Sequence, residues 1–198
     1  MKEPARIAML VSGGGRSLEN LALAIGRHEV PGRIVLVVSS TEKARALERA
    51  QRLGLPAVVI DPGRKLSPEE LSRDIFAAIE SFGCEVAVMA GFLRLLPIPA
   101  RWIGRVLNIH PSLLPAFGGQ GFYGDRVHKA VLDAGVKETG CTVHYVDNQY
   151  DHGPILLQRR IPVRTEDTVE TLASRVFEEE KIALPEALRR HLAREPVS

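Results

Sequence analysis

The stretch Ile7-Ala8-Met9-Leu10-Val11-Ser12-Gly13-Gly14-Gly15-Arg16-Ser17 decides the fold. Five apolar residues in a row read as a strand buried on both faces, and a serine followed by three glycines breaks it. The chain then resumes over 17–27 with Leu18, Leu21 and Ile25 on one helical face. Strand, glycine loop and helix in that order open an α/β protein. The same alternation continues outward, with strands predicted over 34–38, 57–60, 86–90 and 106–109. A charged helix is predicted over about 42–53, and a second helix opens at Ser67-Pro68-Glu69-Glu70, an N-cap followed by proline at the first helical position, and runs to about 82. Beyond a glycine-rich irregular segment at 118–124, the pattern gives a helix over 127–134 and alternating strands over 142–146 and 155–161 that could pair and extend the sheet. A long helical tail follows over 168–192, with a bend or interruption expected near Pro185. The predicted architecture is one doubly wound, mostly parallel sheet with helices on both faces, its site at the carboxyl ends of the strands.

The bulk properties fit one domain spanning residues 1–198, of a size that can bury a real core. Hydrophobic residues make up 45% and charged residues 25%, an ordinary globular balance, and a net charge of +2 argues against a nucleic-acid binder. The two cysteines, Cys84 and Cys141, are far apart and form neither a disulfide framework nor a zinc pattern, which points to the cytoplasm. The apolar run at 7–11 is too short for a signal segment or a membrane span.

Two places could carry chemistry. In Asn108-Ile109-His110-Pro111-Ser112-Leu113-Leu114-Pro115, side chains two apart on a strand share a face, so Asn108 and His110 converge just before a proline-limited loop. An amide can donate to a developing oxyanion and an imidazole can carry a proton; Asp151 is a candidate to hold the imidazole. A satisfied polar pair at a strand end, and an ordinary turn aspartate, are the competing readings. The loop Ser12 to Ser17 matches neither a dinucleotide fingerprint nor a Walker loop. It reads either as an anion site made by backbone N–H groups at a helix start or as a tight turn needed for packing.

Taken together, five segments carry a resemblance: Val11-Ser12-Gly13-Gly14-Gly15, Met89-Ala90-Gly91-Phe92-Leu93-Arg94-Leu95-Leu96, Leu107 through Pro115, Thr139-Gly140-Cys141-Thr142-Val143-His144, and Asp151-His152-Gly153-Pro154-Ile155-Leu156-Leu157-Gln158. Over about 7–185 the chain resembles the phosphoribosylglycinamide formyltransferases, folate-dependent enzymes of purine synthesis with a Rossmann-like fold. The resemblance implies that 10-formyltetrahydrofolate is the co-substrate and 5-phosphoribosylglycinamide the acceptor, joined by direct amine attack, with no metal. It assigns Asn108, His110 and Asp151 to catalysis, with Asp151 raising the pKa of His110, and gives His144 and Ser112 supporting places. It puts the substrate phosphate at Gly15, Arg16, Ser17 and Glu180. The folate falls against Phe92, Leu93, Arg94, Leu95 and Leu96, largely on their backbone, and near Asn108, Val146, Asp147 and Asp151. It also suggests a cis peptide at Leu114-Pro115. The partners implied are small molecules, with no nucleic acid and no membrane, and a homodimer is allowed.

The chain departs from the family pattern in four places. Residues 118–124 are longer than the usual segment, and Arg16 and Ser17 stand where Ser and Asn are frequent. Phe177 replaces a Gln that helps hold phosphate in some members. Pro68 stands where some carry an Arg near the folate tail, which Arg64 or Lys65 could replace. The alternatives are other users of the same donor: a formyltetrahydrofolate deformylase, or a transferase acting on a different amine such as methionyl-tRNA or a sugar nucleotide. These usually bring further sequence. A non-catalytic nucleotide-binding module is an alternative of a different class; it would keep the glycine loop with no reason to hold Asn108, His110 and Asp151 together.

Overall fold

The computed structural model describes residues 3–61 and 63–193; Met1, Lys2, Pro62 and residues 194–198, which the single-domain expectation includes, lie outside the described residues. Seven strands form one sheet: β1 (Ala5–Val11), β2 (Gly32–Ser39), β3 (Ala57–Val59), β4 (Val86–Ala90), β5 (Val106–His110), β6 (Glu138–Tyr145) and β7 (Ile155–Pro162). Their order is β3-β2-β1-β4-β5-β6-β7. The first five pair in parallel, and β6 and β7 add an antiparallel edge. The helices are α1 (Arg16–Gly26), α2 (Arg45–Arg52), α3 (Pro68–Ser81), α4 (Asp125–Asp133) and α5 (Val169–Leu192).

Residue alternation sorts the core into two layers. Ile7, Met9 and Val11 of β1 join a cluster with Leu18, Leu21, Val131, Leu172 and Leu184 from α1, α4 and α5. Ala8 and Leu10, facing the other way, join Leu71, Ile75, Phe76 and Ile79 of α3 and Trp102. Both faces of β1 are therefore dry, as its unbroken apolar run requires. The chain leaves β1 toward β2 on one side and later returns to β4 on the other. The strand order reverses there, and crevices at such a reversal open at the carboxyl ends of the strands.

Three local features refine the sequence reading. Ser67 accepts from Glu70 N–H while Glu70 returns a bond to Ser67 N–H, a full capping box with Pro68 inside it. Strand β6 begins at Glu138, earlier than expected. Glu138, Thr139 and Gly140 lack apolar alternation yet pair with Pro162, Ile161 and Arg160 of β7. The expected break in the last helix is absent: α5 continues through Pro185. Proline deprives the carbonyl four residues earlier of its partner, here that of Lys181, and Asn20 Nδ2 from α1 donates to that oxygen at 3.0 Å.

Candidate active site

Loops at the carboxyl ends of β1, β4 and β5 and the segment before α4 enclose a cleft of about 650 Å3, lined by Gly13 to Ser17 after β1 and, across β4, by Asn108 and His110 of β5 with Asp151. The glycine loop has a reason for its composition. Gly15 is the N-cap of α1 at φ 76°, and a Cβ there would sit 2.7 Å from the Cα and Cβ of Ala46 on α2. Helix α2 pins the loop from behind: Ala46 N–H donates to Gly13 O, Arg49 Nε donates to Gly14 O at 2.8 Å, and Arg49 also pairs with Glu19. Ser12 was not singled out by sequence, yet it joins three loops. Its N–H donates to Gly91 O, its hydroxyl meets that of Ser40 at 2.7 Å, and the same oxygen accepts Leu93 N–H.

At the acyl end, antiparallel pairing of β5 with β6 sets Asn108 opposite His144 and His110 opposite Thr142. Asn108 Nδ2 lies 3.0 Å from His144 Nε2 and donates to Asp151 Oδ1 at 3.2 Å. His144 Nδ1 faces the Tyr145 carbonyl at 2.8 Å, so it carries the ring proton and leaves Nε2 to accept from Asn108. By the same reasoning His110 Nε2 donates to Phe117 O at 2.9 Å, and Nδ1 faces Asp151 Oδ2 at 3.4 Å. Asp151 also accepts Gly119 N–H at 3.0 Å, so the lengthened 118–124 segment supports the cluster directly.

Burial lowers the pKa of His110 and outweighs Asp151 and the Phe117 carbonyl, which raise it. Asp151 does act on His110 in the expected direction, but desolvation wins, and the imidazole rests neutral at neutral pH. Burial pushes Asp151 upward, yet the neighbouring His144 ring, the charge of His110 and Gly119 N–H together hold it below the usual carboxylate value.

The other predicted site residues divide. Gly15, Arg16, Ser17, Glu180, Phe92 and Leu93 line the cleft. The Arg16 guanidinium lies over the ring of Phe177, 3.7 Å from its centroid, which holds the cation beside the glycine loop. Burial raises the Glu180 carboxyl to about 7, against the lowering influence of Arg16. The Ser112 hydroxyl instead donates to Ala116 O at 2.6 Å, and its carbonyl accepts from Thr142, whose Oγ1 takes Leu114 N–H, so Ser112 shapes the loop. The Leu114-Pro115 peptide in that loop is cis, as expected.

Side chains of the remaining folate list are engaged elsewhere. Arg94 pairs with Asp61 and donates to Leu66 O, and Leu96 is in the core. Val146 packs against the same core layer, Asp147 bonds His152 and Gln149 N–H, and Leu95 is half-buried outside the cleft lining. His128, on α4, is 4% exposed and also lines the cleft.

The doubly wound sheet thus has a switch-point cleft that joins an anion-ready helix start to an Asn–His–Asp cluster. A family model described as formyl transferase matches residues 5–188. The chain belongs to the formyl transferase family. It is 43% identical over 186 residues to the trifunctional purine biosynthetic protein adenosine-3 of Gallus gallus, covering 93% of this chain and 18% of that protein. It is 40% identical over 178 residues to the chloroplastic phosphoribosylglycinamide formyltransferase of Vigna unguiculata, covering 88% and 57%. The chain thus spans less than two thirds of the length of these curated relatives. Among solved structures, glycinamide ribonucleotide transformylase 1 from Symbiobacterium toebii superposes with a TM-score of 0.90 at 36% identity, over 100% of this chain and 92% of that one. Phosphoribosylglycinamide formyltransferase from Bacillus halodurans gives 0.88 at 31% identity, over 97% and 98%.

Proposed function

We propose that the protein transfers the formyl group of 10-formyltetrahydrofolate to the amine of 5-phosphoribosylglycinamide. The observation that carries this reading is the single cleft with the Asn108–His110–Asp151 cluster at one end and the glycine loop, Arg16 and Glu180 at the other. An acceptor with an amine at one end and a phosphate at the other fits that division. The phosphate binds N–H groups at the start of α1 and the charge of Arg16. The pterin lies along the backbone of 92–96 and the 146–151 turn. The two buried free thiols, Cys84 and Cys141, suit a reducing compartment such as the cytoplasm; among the described residues no helix is long and apolar enough to cross a membrane.

In the reaction the acceptor nitrogen forms a bond to the formyl carbon, and the C–N10 bond of the folate breaks. The proton lost by the attacking nitrogen ends on N10. As the carbonyl oxygen becomes an oxyanion, an Asn108 N–H turns from its resting partner toward it; one such donor is worth about 3–4 kcal/mol in a preorganised site. His110, neutral at rest, takes up the proton in transit, with Asp151 as counter-charge. Charge on His110 draws the Asp151 carboxylate toward Nδ1, which frees the Asn108 hydrogen. His144 supports this by fixing which way the Asn108 amide faces. Holding both reactants in one cleft adds the proximity contribution.

The test is a formyl-transfer assay with 10-formyltetrahydrofolate, with and without glycinamide ribonucleotide. Tetrahydrofolate released only when the ribonucleotide is present is the expected result. Equal release without it overturns the reading in favour of a deformylase.

A further inference from the structure

The cleft contains one buried polar group that the acyl-transfer cluster does not use. On α4, Val127 and Val131 are buried, Val131 among the core residues, while the neighbouring His128 lines the cleft at 4% exposure. Its Nδ1 is fully buried and has no hydrogen-bond partner, so the ring meets a ligand in the cleft through its other edge, at Nε2. A leucine or phenylalanine would fill such a position without burying an unpaired nitrogen, so packing alone does not account for an imidazole. Burial lowers the pKa of this ring; Asp125 opposes that, and His110 and Arg16 add to it. At neutral pH the ring is therefore uncharged, with one donor and one acceptor. Its charged neighbours are informative: Arg16 belongs to the anion end of the cleft and His110 to the acyl end, and His128 is within electrostatic reach of both.

We propose that His128 hydrogen-bonds the polar arm, an amide or a sugar hydroxyl, that joins the phosphate of the acceptor to its reacting amine. It thereby sets how far the amine reaches toward the formyl carbon. This rests on the acceptor reading given above. It also makes His128 a specificity residue: an acceptor with a phosphate and an amine but an arm lacking polar atoms would leave Nε2 unpaired and bind less well.

The test compares wild type, His128→Leu and His128→Gln in steady-state kinetics and thermal unfolding. For His128→Leu, the KM for glycinamide ribonucleotide should rise about tenfold, the scale of one lost hydrogen bond. The KM for the formyl donor should stay within about twofold, and the melting temperature should stay level or rise because an unpaired polar atom has been removed. His128→Gln, which returns an amide near the position of Nε2, should recover most of the acceptor KM. An unchanged acceptor KM in His128→Leu overturns the assignment. So does an equal rise in both KM values with a lowered melting temperature and no recovery in His128→Gln. Wild-type protein that gives no product with the ribonucleotide overturns the acceptor reading itself, and the role of His128 with it; normal wild-type turnover beside an unaffected leucine variant overturns the role alone.

Discussion

Asp151 holds four groups in place with two oxygens. Its Oδ1 takes Asn108 and faces His144 at 3.7 Å; its Oδ2 takes Gly119 N–H and faces His110. An amide of the same shape cannot accept on both sides or balance a charged imidazole. Asp151→Asn should therefore keep the far-ultraviolet circular dichroism of the parent and lose turnover by roughly 100-fold or more, on the scale of a lost transition-state contact. Retained turnover in that variant would remove Asp151 from the mechanism. Asn108 and His110 were legible because a period of two places them on one face whatever else the chain does. Asp151 was not legible alone, since its partners arrive from 32 and 43 residues away and an aspartate in a glycine-proline turn has an ordinary explanation.

Glu180 gives a second prediction at this scale. Its folded pKa of about 7 lies above the ordinary value of 4.5, so the folded state binds its proton more tightly than the unfolded chain does. The stabilisation is complete below the ordinary value and is lost as pH rises through 7. Glu180→Gln should melt close to wild type at pH 5 and about 2–4 °C higher at pH 8, the shift for roughly 1 kcal/mol in a chain of this size. A constant difference across that range would refute the assignment.

Among the elements, α1 and α5 are joined at the point where α5 ought to fail. Sequence alone predicted a bend or an interruption near Pro185, and only the interruption is absent, because the rule for proline concerns its own helix and says nothing about a neighbour able to cap the freed carbonyl. Asn20 does so across 161 residues of chain. Asn20→Ala should leave Lys181 O unpaired and cost about 1 kcal/mol, or about 2–4 °C in melting temperature; a variant that melts with wild type would show that water serves as well. The start of α1 is the more demanding element. Gly15→Ala forces a side chain into left-handed backbone against α2, at a cost of about 1–3 kcal/mol. Because the same backbone offers its N–H groups to phosphate, the variant should also raise the KM for the ribonucleotide, measured at a temperature where it remains folded.

At the scale of the molecule, the sheet was readable as a class but not in its order. Apolar runs separated by helices say that strands are parallel and covered; they do not say that β1 lies next to β4 or that the chain ends in an antiparallel edge. That edge matters to the site, because β6 brings His144 and Thr142 beside β5 and carries the chain on to Asp151. With both reactants in one cleft and no nucleophile needed from the protein, transfer should be direct. Incubation with formyl-labelled donor alone should leave no label on the denatured protein, and a stoichiometric labelled adduct would replace direct attack with a two-step mechanism.

The latch between α1 and α5 also imposes an order on biosynthesis. The glycine loop is translated before the acyl cluster, whereas Phe177, Glu180 and Lys181 are translated after it. A nascent chain that has passed Asp151 carries every residue assigned to formyl chemistry, but the α5 side of its nucleotide grip has yet to be translated. Competence to hold the acceptor therefore waits on α5, when that helix closes over α1.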